Sequence, residues 1–270
     1  LTTSIETVRD YWDTRPCNVR YSPLLIGTRA YFEEVRARKY FVESHIPEFA
    51  QFPRWTGRTV LELGCGIRTD TVSFALAGAH VTAVELSPRS LGLARAHARS
   101  FGVQDKVRFL EGNVESLSSF LEPQTFDLVY AFGVLHHTPN PVRVITEIQK
   151  FMSVDSTLKL MLYNRHSWKV LTSLVNWRPG LSFDQAIAKH SEAQPRCPIA
   201  STFTPKSVRE LLCDFDPVLI RADFIFPYRV RDYIQYRYVK RWYWRVTPLR
   251  LFRYLERHIG WHLLIDARKS

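Results

Sequence analysis

Methionine and cysteine are scarce in this 270-residue chain, with two and four copies, and acidic residues are outnumbered, 26 Asp/Glu against 37 Lys/Arg. Cys17, Cys65, Cys197 and Cys213 lie far apart in the sequence. They lack the close pairing of a zinc site or of a disulfide framework, so neither is expected to organise the fold. Apolar runs are short: none approaches the ~20 residues that span a bilayer. Secretory and lipidation motifs are also lacking, which makes the cytoplasm the expected compartment. There is no internal repeat and no low-complexity tail. What remains is an ordinary globular composition, 46% hydrophobic and 23% charged, long enough to bury a sizeable core.

The missing acid leaves a net charge of +11, unevenly spread. Between Pro227 and Gly260 nine Lys/Arg face only Asp232 and Glu256, a net +7, and nine Tyr, Trp and Phe side chains are interleaved with them. Such a stretch suits a nucleic acid or a membrane surface. It better suits a helical subdomain with aromatics in its core and arginines on a solvated rim. Charge alone does not choose, and the aromatics would also suit a homo-oligomer surface.

The chain is organised around Thr59 to Asp70. The apolar run Val60–Leu63 reads as a buried parallel strand. Gly64 and Gly66 follow at once, and a helix-like pattern (Val72, Phe74, Ala75, Leu76) begins just beyond. Strand, glycine turn and helix form the nucleotide-cradling unit of a doubly wound sheet: glycine lets backbone approach a ligand, and a helix start offers free N–H groups. Strand–helix alternation then continues, with strands expected at 80–85, 107–110, 126–131 and 158–163 and helices at 88–100 and 142–152. After Asn164 the order loosens. A helix is expected near 183–190 and another at 207–213, with strands at 218–226 and 261–267. Between those strands lies the insertion 227–260, read as two helices broken near Pro248. Ahead of the first strand, 1–57 reads as a helical lid, with helices over 5–12 and about 28–49. The rest, 58–270, reads as the ligand-binding domain.

The chemistry-bearing residues fall at strand ends, where doubly wound folds bind ligands. Glu85 closes the second strand, and one carboxylate offers acceptors to both hydroxyls of a ribose. Asn113, after the third strand, carries an amide suited to an adenine edge. Ala131 and Phe132 end the fourth strand, and Leu135-His136-His137 follows.

In these stretches the sequence resembles class I S-adenosylmethionine (SAM)-dependent methyltransferases, of the kind that includes ubiquinone- and menaquinone-pathway enzymes. The matching segments are Val60-Leu-Glu-Leu-Gly-Cys-Gly66, Val84-Glu-Leu-Ser87, Glu111-Gly-Asn-Val-Glu115, Phe126-Asp-Leu-Val-Tyr130 and Leu135-His-His137. The resemblance implies an α/β fold: a doubly wound, Rossmann-like seven-stranded sheet with helices on both faces and its last strand antiparallel. It implies that Glu62, Gly64, Cys65 and Gly66 line the methionine end of SAM. Glu85 would hold the ribose, Leu86, Asn113 and Val114 would surround the adenine, and Ala131 and Phe132 would lie beneath the sulfonium. Arg68 stands where the family usually has a third glycine. Its guanidinium would reach a carboxylate of cofactor or substrate, or point into solvent.

Methyl transfer is an in-line displacement at a sulfonium, so the protein mainly aligns the acceptor and excludes water. Expected acceptor-side groups are Tyr163 and Asn164 at the fifth strand's end, His136 after the fourth, and Tyr11, Tyr21 and Tyr31 in the lid; for His136, structural packing is the stronger expectation. The leading expectation is a small-molecule methyltransferase, with no metal. Three others stay open. One is a cyclase in which the amine of SAM attacks its own aminocarboxypropyl arm, giving azetidine-2-carboxylate and methylthioadenosine. The others are a nucleic-acid methyltransferase and a non-catalytic SAM-binding module.

Overall fold

A computed structural model describes residues 3–67, 69–175, 183, 187 and 197–269. Its centre is a seven-stranded sheet: β1 Thr59–Leu63, β2 His80–Glu85, β3 Val107–Glu111, β4 Leu128–Phe132, β5 Thr157–Tyr163, β6 Phe215–Asp223 and β7 His262–Lys269. The spatial order is β3-β2-β1-β4-β5-β7-β6, with β1–β5 parallel and β7 antiparallel to both its neighbours. The order reverses between β1 and β4, which opens a crevice at their carboxyl ends. Strand β5 is buried at every position, as the centre of a doubly covered sheet should be.

Alternation along the strands divides the core in two. Val60, Tyr130 and Met161 point to one face, where Ile46, Phe49, Trp55 and Phe74 pack. Leu61, Val129, Leu160 and Leu162 point to the other, against Ile145 and Ile148. Helix α4 (Thr69–Leu76) covers the first face, while α6 (Pro141–Gln149) covers the second. The helix α5 (Pro88–Ser100) has the bounds its sequence pattern sets, with Ser87 accepting from the Ser90 N–H and proline at the first position.

The N-terminal region departs from expectation. In place of one helix over 28–49 there are two, α2 (Arg29–Val42) and α3 (His45–Ala50); α1 (Ile5–Thr14) precedes them. Pro47 is the reason. Continued through Glu43, the helix would need an N–H that Pro47 lacks and would press the proline ring against the Glu43 carbonyl. The chain breaks at Glu43 (φ −111°, ψ 59°), and Pro47 falls in the first turn of α3.

Beyond β5 lie α7 (Trp168–Val175) and α8 (Pro205–Leu211), the latter closed by a capping box of Thr204 and Ser207. Of the helix expected at 183–190, residues 183 and 187 are helical and the others lie outside the described residues. The insertion forms three helices rather than two: α9 (Val230–Tyr233), α10 (Trp242–Val246) and α11 (Leu249–Ile259), with the expected break at Pro248. Its aromatics divide: Tyr228, Tyr233 and Trp244 are buried, while Tyr238, Trp242 and Tyr254 are exposed. Among the described residues no helix is long and apolar enough to cross a membrane.

Candidate functional site

The loop after β1 is built around two left-handed glycines, Gly64 (φ +60°) and Gly66 (φ +54°). At Gly64 a side chain would also collide: a Cβ there would stand 2.4 Å from Cγ2 of Val134. Glu85 ties this loop to the end of β2. One carboxylate oxygen accepts the Gly66 N–H at 2.8 Å and the other the Ser87 N–H at 2.9 Å. The Cys65 thiol makes a longer contact to the first oxygen at 3.8 Å, and since a carboxylate has about four acceptor directions, capacity remains for a hydroxyl. The next turn is held from behind, where Nδ1–H of His97 in α5 donates to the Ile67 carbonyl at 2.9 Å. That bond places the lone pair on Nε2, which is buried without a partner. Burial lowers the His97 pKa to about 4 against the carbonyl's opposing pull. Glu62 is buried and accepts from the Thr71 hydroxyl. Arg68 lies outside the described residues.

Beside Glu85 a cleft of about 290 Å³ is lined by Leu86, Glu111, Gly112 and Asn113 from the sheet and by Ile5, Glu6 and Arg9 from α1. Helix α1 is pinned across it at two points. Arg9 pairs with Glu111 at 2.7 Å, and Asp13 accepts from the Ser87 hydroxyl and the Arg89 N–H. Those two bonds, the backbone one first, hold the Asp13 carboxyl below its usual range. Asn113 spends its side-chain oxygen on the Glu115 N–H, which leaves its NH2 group for a ligand. Val114 is buried next to it.

On the other side of the glycine loop the strand ends carry rings. His136 is fully buried, stacked on Tyr163 with ring centroids 3.6 Å apart, and neither of its nitrogens has a hydrogen-bond partner. Tyr163 in turn stacks on Trp261 at 4.2 Å. Burial, with His137 and His262 adding to it, drives the His136 pKa well below the ordinary value. His45 of α3 and His262 of β7 meet with Nε2 and Nδ1 3.0 Å apart, and both rings approach Phe132. Beneath them Lys39 reaches Asp70 at 2.8 Å, and Asp70 also accepts from Tyr40 and Tyr130. Burial works against the Lys39 charge, but Asp70 and Glu43 outweigh it and raise its pKa.

The expected residues therefore do not all converge. Gly64, Cys65 and Gly66 form the loop tied to Glu85, Leu86 and Asn113 line the cleft with Val114 buried next to Asn113, and Ala131 and Phe132 lie at the neighbouring strand end. Tyr163 and His136 form one aromatic wall. Asn164, buried at the β5 end, uses its amide to hold backbone: Nδ2 donates to Gly260 and Oδ1 accepts from the His166 N–H. Tyr31 is a core residue, its hydroxyl donating to the Val19 carbonyl and pushed by burial to about 12. Tyr21 packs toward Tyr233 and Arg38, and Tyr11 toward Trp12 and Arg15. His45, His262 and Lys39 were not expected. In the sequence Lys39 interrupts the apolar helical stripe of Phe32, Val35, Val42 and Ile46; nothing local joins His45 to His262.

Residues 56–204 match a family model described as a methyltransferase domain. Ubiquinone biosynthesis O-methyltransferase of Dechloromonas aromatica is 33% identical over 119 residues, 44% of this chain and 50% of that protein. The enzyme of that name from Bordetella pertussis is 38% identical over 120 residues, 44% and 48% of the two chains. The matches thus span about half the length of these curated relatives. Magnesium protoporphyrin IX methyltransferase of Synechocystis PCC 6803, solved with bound SAH, superposes with a TM-score of 0.60, covering 99% of this chain and 100% of that one at 16% identity. Fold and glycine–carboxylate site define a doubly wound, cofactor-binding α/β protein. The chain belongs to the class I SAM-dependent methyltransferase family.

Proposed function

We propose that this protein transfers the methyl group of SAM to an oxygen or nitrogen of a small-molecule acceptor, with 1–57 acting as the lid over the pocket. The residues present fit the cofactor: two glycines that no side chain can replace without strain, a buried carboxylate with acceptor capacity left, and a cleft beside it. Glu62 and the Gly64–Gly66 turn would hold its methionine end, Glu85 the ribose, and Leu86, Asn113 and Val114 the adenine. Bound there, SAM supplies an electrophilic methyl on a good leaving group.

The observation that carries the acceptor side is His136. A buried, unpartnered polar ring costs about 1–3 kcal/mol, and this one adjoins the strand ends where the methyl would be presented. A hydroxyl or amine of the acceptor would complete its hydrogen bonding. Being neutral at pH 7, the ring would accept that proton's hydrogen bond rather than repel the sulfonium. The stacked rings of Tyr163 and Trp261 suit a planar acceptor.

Calorimetry with SAH tests the cofactor site: Glu85→Ala should weaken binding by about 10–100-fold, equivalent to roughly 1.4–2.8 kcal/mol. Methyl-labelled SAM with a panel of phenols and amines tests the transfer, and His136→Ala should lower kcat on the preferred acceptor with SAH affinity unchanged. Methylthioadenosine formed from SAM alone would overturn the transfer reading in favour of the cyclase.

A further inference from the structure

Two buried histidines from opposite ends of the chain face each other at the ligand edge of the sheet. His262 opens β7, in register with Tyr163 at the end of β5. His45 opens α3, and the helix break at Glu43 sets Glu43 and His45 side by side. A carboxylate oxygen of Glu43 and one ring nitrogen of each histidine lie within 4.8 Å of one another. Two imidazole donors in adjacent positions on an ion at about 2.0–2.1 Å would be about 2.9–3.4 Å apart. His45 Nε2 and His262 Nδ1 are 3.0 Å apart.

We propose that Glu43, His45 and His262 bind a first-row divalent metal ion such as zinc or cobalt beside the methyl-transfer position. Two nitrogens and one carboxylate match this class, whereas magnesium and calcium require mostly oxygen ligands. Without the ion, the two rings share a single proton in their hydrogen bond. To ligate, the donor ring takes its other tautomer, so both lone pairs face the metal and no net proton is lost from the pair. Both rings are buried, which shields their nitrogens from competing water. Lys39, Lys169, Arg221 and Arg253 also face the pair and oppose a cation. Glu43 supplies the offsetting charge, and the nitrogen donors the covalency that a purely ionic site would lack.

The ion's place beside the methyl rests on the cofactor reading above; metal binding itself does not. Both rings approach Phe132, the strand-end residue expected beneath the sulfonium. A phenol or enol oxygen of the acceptor, taking an open position on the ion, would release its proton to solvent at lower pH. The resulting oxyanion forms the O–CH3 bond as the S–CH3 bond breaks, and its charge cancels that of the sulfonium.

Cobalt titration of the chelator-treated full chain, read by visible d–d absorption, tests the site. One equivalent should give the bands, and zinc should abolish them. His45→Gln and His262→Gln should each weaken binding by at least the roughly 10–100-fold that follows loss of an outer-shell partner. Glu43→Gln should weaken it less, and His80→Gln, at an exposed histidine away from the cluster, not at all. Absence of bands in the unmutated protein overturns the proposal, as do bands unchanged in the histidine variants. If those variants fail to fold by circular dichroism, the unmutated protein and Glu43→Gln decide. SAH calorimetry on metal-free protein separates the two readings: SAH binding without cobalt bands removes the metal alone, and cobalt bands without SAH binding remove the cofactor reading alone.

Discussion

At Gly64 two constraints coincide, a left-handed backbone and contact with Val134. Gly64→Ala should lose about 2–6 kcal/mol of stability, summing roughly 1–3 for the backbone and 1–3 for overpacking. Adding Val134→Ala should restore the packing share and leave the backbone share, a difference that urea unfolding of the two variants would resolve. His97 is the second single residue with a sharp signature. Its folded pKa of about 4 lies below the unfolded value of about 6.5, so its contribution is complete above pH 6.5 and is lost as pH falls toward 4. Within that window it should remove about 1.4 kcal/mol of stability per pH unit. His97→Gln should flatten this part of the pH–stability curve, and SAH affinity should fall with it because the Ile67 turn loses its support.

Among elements, the contact between α2 and the C-terminal insertion centres on one arginine, with Phe41 packed on Tyr228 and Tyr238 beside it. Arg38 is buried, its guanidinium within 6 Å of the ring centroids of Tyr21, Tyr233, Tyr236 and Tyr238, and it donates to the Tyr233 carbonyl. Its Nε and Nη1 have no hydrogen-bond partner, so the ring faces carry much of its stabilisation. Arg38→Ala should cost about 2–4 kcal/mol, from a charged hydrogen bond and several cation–π contacts. Arg38→Lys should recover only part, since an ammonium cannot lie flat on four rings. Thermal melts would rank the three proteins, and limited proteolysis should show earlier cutting within 227–260 for the alanine variant. This clamp also shows where sequence reading stops. The glycine turn, Glu85, β2 and α5 were legible because each is specified by neighbours within a few residues. The split of α2 from α3 was legible too, in Pro47, though the apolar stripe of Phe32, Val35, Val42 and Ile46 masked it. The Arg38 cage and the His45–His262 pair join residues about 200 positions apart, and no local periodicity encodes such a meeting.

For the whole molecule, ligand and fold should be linked by mass action. SAH at 100 times its dissociation constant should stabilise the chain by about 2.7 kcal/mol, seen as a rise in Tm, and the same SAH concentration should stabilise Glu85→Ala by only about 0.4–1.4 kcal/mol. The excess positive charge sets a separate test. Were nucleic acid the acceptor, binding would weaken steeply with salt, whereas a small-molecule enzyme should show RNA affinity near zero at physiological salt. The strand order has a temporal consequence. Among the described residues β6 joins the sheet only through β7, which follows it in sequence. A nascent chain that has paired β1 to β5 already owns Gly64, Gly66 and Glu85, but it lacks Trp261 and His262. Cofactor affinity should therefore be acquired before the acceptor wall is complete, since His136 and Tyr163 gain the Trp261 ring only when the closing strand has left the ribosome.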